Sequence, residues 1–188
     1  ILLNPRATQS VANLKQFLHS HWQVASNVPR LQGVSLAVTG VELARLSELV
    51  DMTPAQLSKM RVRALGFVPL LQDTFAASLA LVSPTYVGGG IRKKVLEAMA
   101  NQLPVIATEM DINSCNYFHA DENILRLGTP AEFAQSVEGL VVDKARWKKL
   151  SDAGRLSVER YANWTLLADT ITSEIARLTD RGFVPMTV

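Results

Sequence analysis

Cysteine is nearly missing from this chain. Its one thiol, Cys115, has no partner for an internal disulfide, which points to a reducing compartment. No run approaches the ~20 consecutive apolar residues that a membrane-spanning helix needs. Charge of one sign is also lacking. The formal balance is +2, from 19 Lys and Arg against 17 Asp and Glu, so a nucleic-acid binder working through bulk electrostatics is not expected. Histidine is scarce: His19 and His21 fall on different faces of a helix and His119 is distant, so no metal site is expected. An initiator methionine and a signal-like leader are absent. The opening Ile1-Leu2-Leu3-Asn4-Pro5-Arg6 reads as the start of a piece cut from a longer protein. What remains is 188 residues, 48% hydrophobic and 19% charged. That is enough apolar material for one well-packed domain over 1–188, and too much for a disordered chain.

Strand-like and helix-like segments alternate along the whole length, which predicts an α/β fold with a parallel sheet. Ile1–Leu3, Val34–Val38, Val62–Phe67, Leu79–Val82, Pro104–Ala107 and Ile124–Leu127 read as strands, about six in all. Val11–Trp22 has Val11, Leu14, Leu18 and Trp22 on one helical face, and Val41–Val50 has Leu43, Leu46 and Val50 on another. Pro69–Ser78, Ile91–Asn101, Pro130–Val141, Ala145–Tyr161 and Leu166–Asp180 read as further helices, and Thr53-Pro54 as a cap followed by a proline at the first helical position. The expected architecture is a Rossmann-like doubly wound sheet in three layers, α/β/α. In such sheets ligands sit beyond the carboxyl ends of the strands.

One stretch after a strand carries chemistry. At Ser83–Ala100 an apolar strand runs into Gly88-Gly89-Gly90 and then directly into a helix. Glycines admit positive φ and close backbone approach, and the helix start offers unpaired N–H groups and partial positive charge. Arg92, Lys93 and Lys94 crowd that first turn, where each cation opposes the helix dipole by roughly 0.3–1 kcal/mol. A bound phosphate or diphosphate accounts for such an arrangement. A solvated basic turn, with Lys93 and Lys94 pairing Glu97, is the other reading. The loop lacks the Gly-Lys-Ser/Thr of a nucleoside-triphosphate loop. It half matches a dinucleotide fingerprint, through Gly88-x-Gly90 and an acid at Glu109, but Lys93 stands where the third glycine belongs. Arg6, after the first strand, is either a further phosphate ligand or an ordinary loop arginine.

Taken together, Gly66-Phe67-Val68-Pro69, then Pro84-x-x-x-Gly88-Gly89-Gly90-x-Arg92-x-Lys94-x-Leu96-Glu97-Ala98-Met99-Ala100, then Leu103-Pro104-Val105-Ile106-Ala107-Thr108 resemble the C-terminal, donor-binding domain of the group 1 glycosyltransferases of GT-B fold. Pro130-x-x-Phe133 and Trp147…Leu150…Ala153-Gly154-Arg155 fit as well. The resemblance implies a nucleotide-diphospho-sugar donor and metal-independent transfer of its sugar to an acceptor: a glycan, a lipid-linked glycan or a small molecule. By that resemblance the backbone of Gly88, Gly89, Gly90 and Ile91 approaches the sugar and diphosphate. Arg92 and Lys94 neutralise phosphate charge, Glu97 accepts the ribose hydroxyls, and Gly66, Phe67 and Val68 line the base. The acceptor-binding N-terminal domain would hold the main acid/base group and is not in this chain. A cytoplasmic location follows, with peripheral attachment to the inner membrane face open for the full-length protein. The chain departs from the family pattern in several places. Gly89 replaces the first carboxylate of Glu-x7-Glu, Gln102 replaces a glycine, Glu109–Asn113 replaces a glycine-rich turn, and Gln9-Ser10 stands where Pro-Asn is expected.

Overall fold

The computed structural model describes residues 8–90, 92–162 and 164–180. Helix α1 (Thr8–Phe17) continues through a π-helical turn (Leu18–Trp22) into α2 (Gln23–Ser26), and a 3₁₀ turn (Pro29–Leu31) leads to strand β1 (Leu36–Val38). Then follow α3 (Leu43–Val50), α4 (Pro54–Lys59), β2 (Val62–Ala64), α5 (Leu71–Ala76), β3 (Leu81–Ser83), α6 (Lys93–Ala100) and β4 (Val105–Ala107). The remainder is α7 (Glu109–Ile112), β5 (Leu125–Arg126), α8 (Pro130–Val142), α9 (Lys144–Tyr161) and α10 (Trp164–Asp180). No helix among the described residues is long and apolar enough to cross a membrane.

Side-chain alternation decides the layering. β3 pairs parallel with β4 in the register Leu81↔Val105 to Ser83↔Ala107. Leu81, Val105 and Ala107 therefore face one apolar cluster, with Val95, Ala98 and Met99 of α6. Val82 and Ile106 face the other, with Phe17, Trp22, Phe133 and Leu140 of the α1 and α8 side. Two covered faces make the expected three layers, and every strand pairing is parallel. Fully burying a side chain the size of Phe133 contributes about 1.5–3 kcal/mol, and its ring meets Phe17 edge-on at 5.3 Å.

The sheet differs from the expectation in extent. Five strands form among the described residues, in two sheets ordered β1-β2 and β3-β4-β5; the sixth expected strand, Ile1–Leu3, lies outside the described residues. A cleft of about 700 Å³ separates the two sheets, lined by Ala37 and Arg63 of one and Val82 and Ile106 of the other. β2 stops at Ala64, short of the expected Phe67, because Gly66 turns the chain at φ +60°. Leu43 is exposed, unlike Leu46 and Val50 on the same helix. It is the first helical residue, ahead of the turn that packs.

Candidate functional site

Two turns follow the carboxyl ends of parallel strands. After β2, Gly66 is stitched to the turn after β1: its N–H donates to Val41 O at 3.1 Å, and its carbonyl accepts from the Gly40 N–H at 2.6 Å. Beyond it Phe67 is 78% exposed and Val68 half-buried, so this pair is open to a planar ligand.

After β3 the chain passes through Thr85–Gly90 into α6. Asn13 of α1 holds this turn from below. Its amide donates to Val87 O at 3.0 Å, and its Oδ1 accepts from the Tyr86 and Val87 N–H groups, each at 3.1 Å. Thr108 Oγ1 donates to Thr85 O at 2.7 Å from the β4 side. His21 adds a third support. Its Nε2 donates to Gly128 O at 3.0 Å, which leaves Nδ1 as an acceptor facing the Ser20 hydroxyl at 2.7 Å and the Tyr86 hydroxyl at 3.2 Å. Burial pushes the Tyr86 phenol above its usual range. The turn is thus fixed by neighbours on α1 and after β4 and β5, while its own glycines stay open. Gly88 and Gly90 have φ of +135° and +81°, and a methyl group built on Gly89 or Gly90 would meet nothing within 4 Å.

Arg92 caps the start of α6. Its Nε donates to Asp111 Oδ1 at 2.6 Å, and the other carboxylate oxygen accepts from Ser83 Oγ. The Asp111 side chain is fully buried and that of Arg92 only 19% exposed. A methyl group built on Gly88 would stand 3.1 Å from Arg92 Nη2 and 3.7 Å from Nη1, so the guanidinium lies directly against the glycine turn.

Two residues on, Lys94 is half-buried, and among the described residues it makes no ion pair. Burial holds its ammonium below the usual lysine range of 10.5; Asp111 partly offsets this and Arg92 adds to it. Lys93 is exposed, as in a solvated turn, but among the described residues neither Lys93 nor Lys94 forms an ion pair with Glu97. Glu97 lies one turn further along the helix, half-buried. A half-buried cation without a direct ion pair among the described residues, a few residues from Gly89 and Gly90, whose Cβ positions are open, is chemically a place for an anion.

The structure therefore brings Gly88, Gly89, Gly90, Arg92 and Lys94 together, with Glu97 on the same helix. Gly66, Phe67 and Val68 sit at the end of the other sheet. Arg6 and Ile91 lie outside the described residues. Glu109, the acid of the dinucleotide reading, is bound to Arg126 at the surface. Cys115 is buried in the α6-side core. Among the described residues no group of three His, Cys, Asp or Glu stands close enough to share a metal. Sequence reasoning missed Asp111 and Asn13. Asp111 was visible only as part of a turn that departs from the family pattern. Asn13 carried a faint signal: a polar residue four before Phe17 and eight before His21, on the buried stripe of α1.

A family model described as glycosyl transferases group 1 matches residues 6–143. The glycosyltransferase 1 domain-containing protein 1 of Xenopus tropicalis is 30% identical over 112 residues, 60% of this chain and 32% of that protein. The chain thus spans about a third of the length of that relative. Among solved structures, the C-terminal domain of the Francisella tularensis group 1 glycosyltransferase LpcC superposes with a TM-score of 0.58 at 18% identity, over 77% of this chain and 79% of that one. Anabaena HepE, solved in complex with UDP-glucose, superposes with a TM-score of 0.64 at 17% identity, over 87% of this chain and 52% of that one.

Proposed function

Because this chain belongs to the group 1 glycosyltransferases, we propose that it is the donor-binding half of such an enzyme and holds a nucleotide-diphospho-sugar at the turn between β3 and α6. One observation carries the reading: Lys94, half-buried and without an ion pair among the described residues, stands two residues from Arg92 and four from Gly90. In this reading the diphosphate lies over Gly88–Gly90 and meets the Lys94 ammonium and the Arg92 guanidinium. Glu97 accepts two ribose hydroxyls through its two carboxylate oxygens, and the base rests on the Gly66–Val68 turn. HepE, which has the same fold, is a protein solved with such a donor.

Transfer breaks the bond between the sugar anomeric carbon and the β-phosphate oxygen. The electron pair stays on the phosphate, where Arg92 and Lys94 stabilise it, and an acceptor hydroxyl oxygen forms the new bond. Two side-chain cations at the leaving group supply this stabilisation without a metal. The acceptor and the group that takes its proton belong to an N-terminal half, so this chain binds donor but transfers little by itself. One buried cysteine and a near-neutral charge suit a cytoplasmic setting. The substitution of Gly89 for a carboxylate favours a second reading, a nucleotide-sugar-binding module without catalysis.

Calorimetric titration with UDP, GDP and NADH tests the proposal. A nucleoside diphosphate is expected to bind, and Arg92→Ala and Glu97→Ala each to weaken it; a preference for NADH would overturn the reading. The two variants in the full-length enzyme, assayed for transfer, separate the catalytic from the binding-only alternative.

A further inference from the structure

The Arg92–Asp111 pair goes beyond a donor-binding turn. Arg92 has a long, flexible side chain at the mouth of a helix, where solvent would ordinarily leave it in several rotamers. Here it is held by one edge. Asp111 takes Nε at 2.6 Å, and Asp111 is itself held through its second oxygen by Ser83, the last residue of β3. The carboxylate is fully buried, so its position is set by the ends of β3 and α7 rather than by solvent. Engagement at Nε leaves the end of the guanidinium, Nη1 and Nη2, free of Asp111 and beside Gly88. That end is the part of arginine that grips two phosphate oxygens at once.

We infer that Asp111 is a positioning residue: it clamps Arg92 by Nε so that the terminal nitrogens face the glycine turn and are ordered before a diphosphate arrives. The inference rests on the donor-site reading above. It competes with two simpler roles. Asp111 could only dilute the positive charge of the site, in which case removing it tightens anion binding. It could only brace the fold, in which case removing it weakens every ligand alike.

A double-mutant cycle separates these roles. Binding of UDP, GDP and inorganic pyrophosphate is measured by calorimetry on the chain and on Asp111→Ala, Asp111→Asn, Arg92→Ala and the Arg92→Ala/Asp111→Ala double variant. Asp111→Ala is expected to weaken diphosphate binding by about two- to tenfold, the cost of ordering one free side chain. On the Arg92→Ala background it should add almost nothing. Asp111→Asn keeps an oxygen that accepts from Nε and should recover most of the loss. Affinity for the matching nucleoside without phosphates should not move. Tighter binding by Asp111→Ala, or an equal loss with and without Arg92, overturns the inference while leaving the donor site intact. If the unaltered chain binds none of the three phosphates, the donor-site reading falls and this inference with it. Thermal unfolding of each variant is recorded, and if Asp111→Ala does not fold, the cycle is run with Asp111→Leu, which removes the acceptor while filling the buried site, and the same two outcomes decide it.

Discussion

In the proposed donor site Lys94 sets function against stability. Its pKa is lowered by burial, so the charged form is worse off in the folded chain than in the unfolded one. The penalty is full below the folded pKa and vanishes above the unfolded value of 10.5. Lys94→Met should therefore raise the melting temperature at pH 7, and the gain should shrink as pH rises towards 10.5. The same substitution should cost nucleoside diphosphate binding about 1.5–3 kcal/mol, the range for a charge-assisted hydrogen bond. Calorimetry of binding and unfolding on one sample checks both halves, and a lowered melting temperature would contradict the argument. The glycines divide in the same way. Gly88→Ala places a Cβ at φ +135° and 3.1 Å from Arg92 Nη2, and should cost about 1 kcal/mol or more together with weaker diphosphate binding. Gly89→Ala meets open space and should stay within about 0.5 kcal/mol of the parent by chemical denaturation.

At the scale of elements, caps explain where several helices begin. Thr53 and Gln56 form a capping box before α4, with Pro54 at its first position, as the Thr-Pro pair predicts. Thr129 and Glu132 repeat the device before α8, again with a proline, and Gly128 makes the turn ahead of it at φ +59°. Thr129→Ala should destabilise by about 1 kcal/mol in urea unfolding. Hydrogen bonds from Thr129 hold the Glu132 carboxyl below its ordinary 4.5. Its contribution is therefore present above 4.5 and lost as pH falls through the lower folded value. An acid titration of stability should show this step in the parent chain and not in Glu132→Ala. Boundaries without such chemistry were harder to read. β2 looked longer because Leu65 and Phe67 continue its apolar run, yet the chain leaves the sheet at Gly66.

For the molecule as a whole, α10 stands apart. Leu167, Ile171, Ile175 and Leu178 form an exposed apolar stripe on it, while the caps and both cores lie elsewhere. Ile171→Lys with Ile175→Lys should leave the melting temperature unchanged, since neither side chain is buried. The two sheets were not separable in the sequence: each strand reads as one more member of a parallel series, and whether neighbours pair depends on contacts across the cleft.

The sequence by itself determined the α/β alternation, the capped start of α4, and the basic turn behind three glycines. These are local properties, carried by side-chain period, cap chemistry and the φ that only glycine takes freely. Tertiary structure alone decided what each cation in that turn does. Arg92 and Lys94 are near neighbours of one type in the sequence. Folding brings Asp111 from beyond β4 to Arg92, holds Asp111 with Ser83 from the end of β3, and half-buries Lys94 without a direct ion pair among the described residues. Local pattern places a charge on a helix, but the strength and direction of that charge depend on desolvation and on partners many residues away, which only the packed chain brings together.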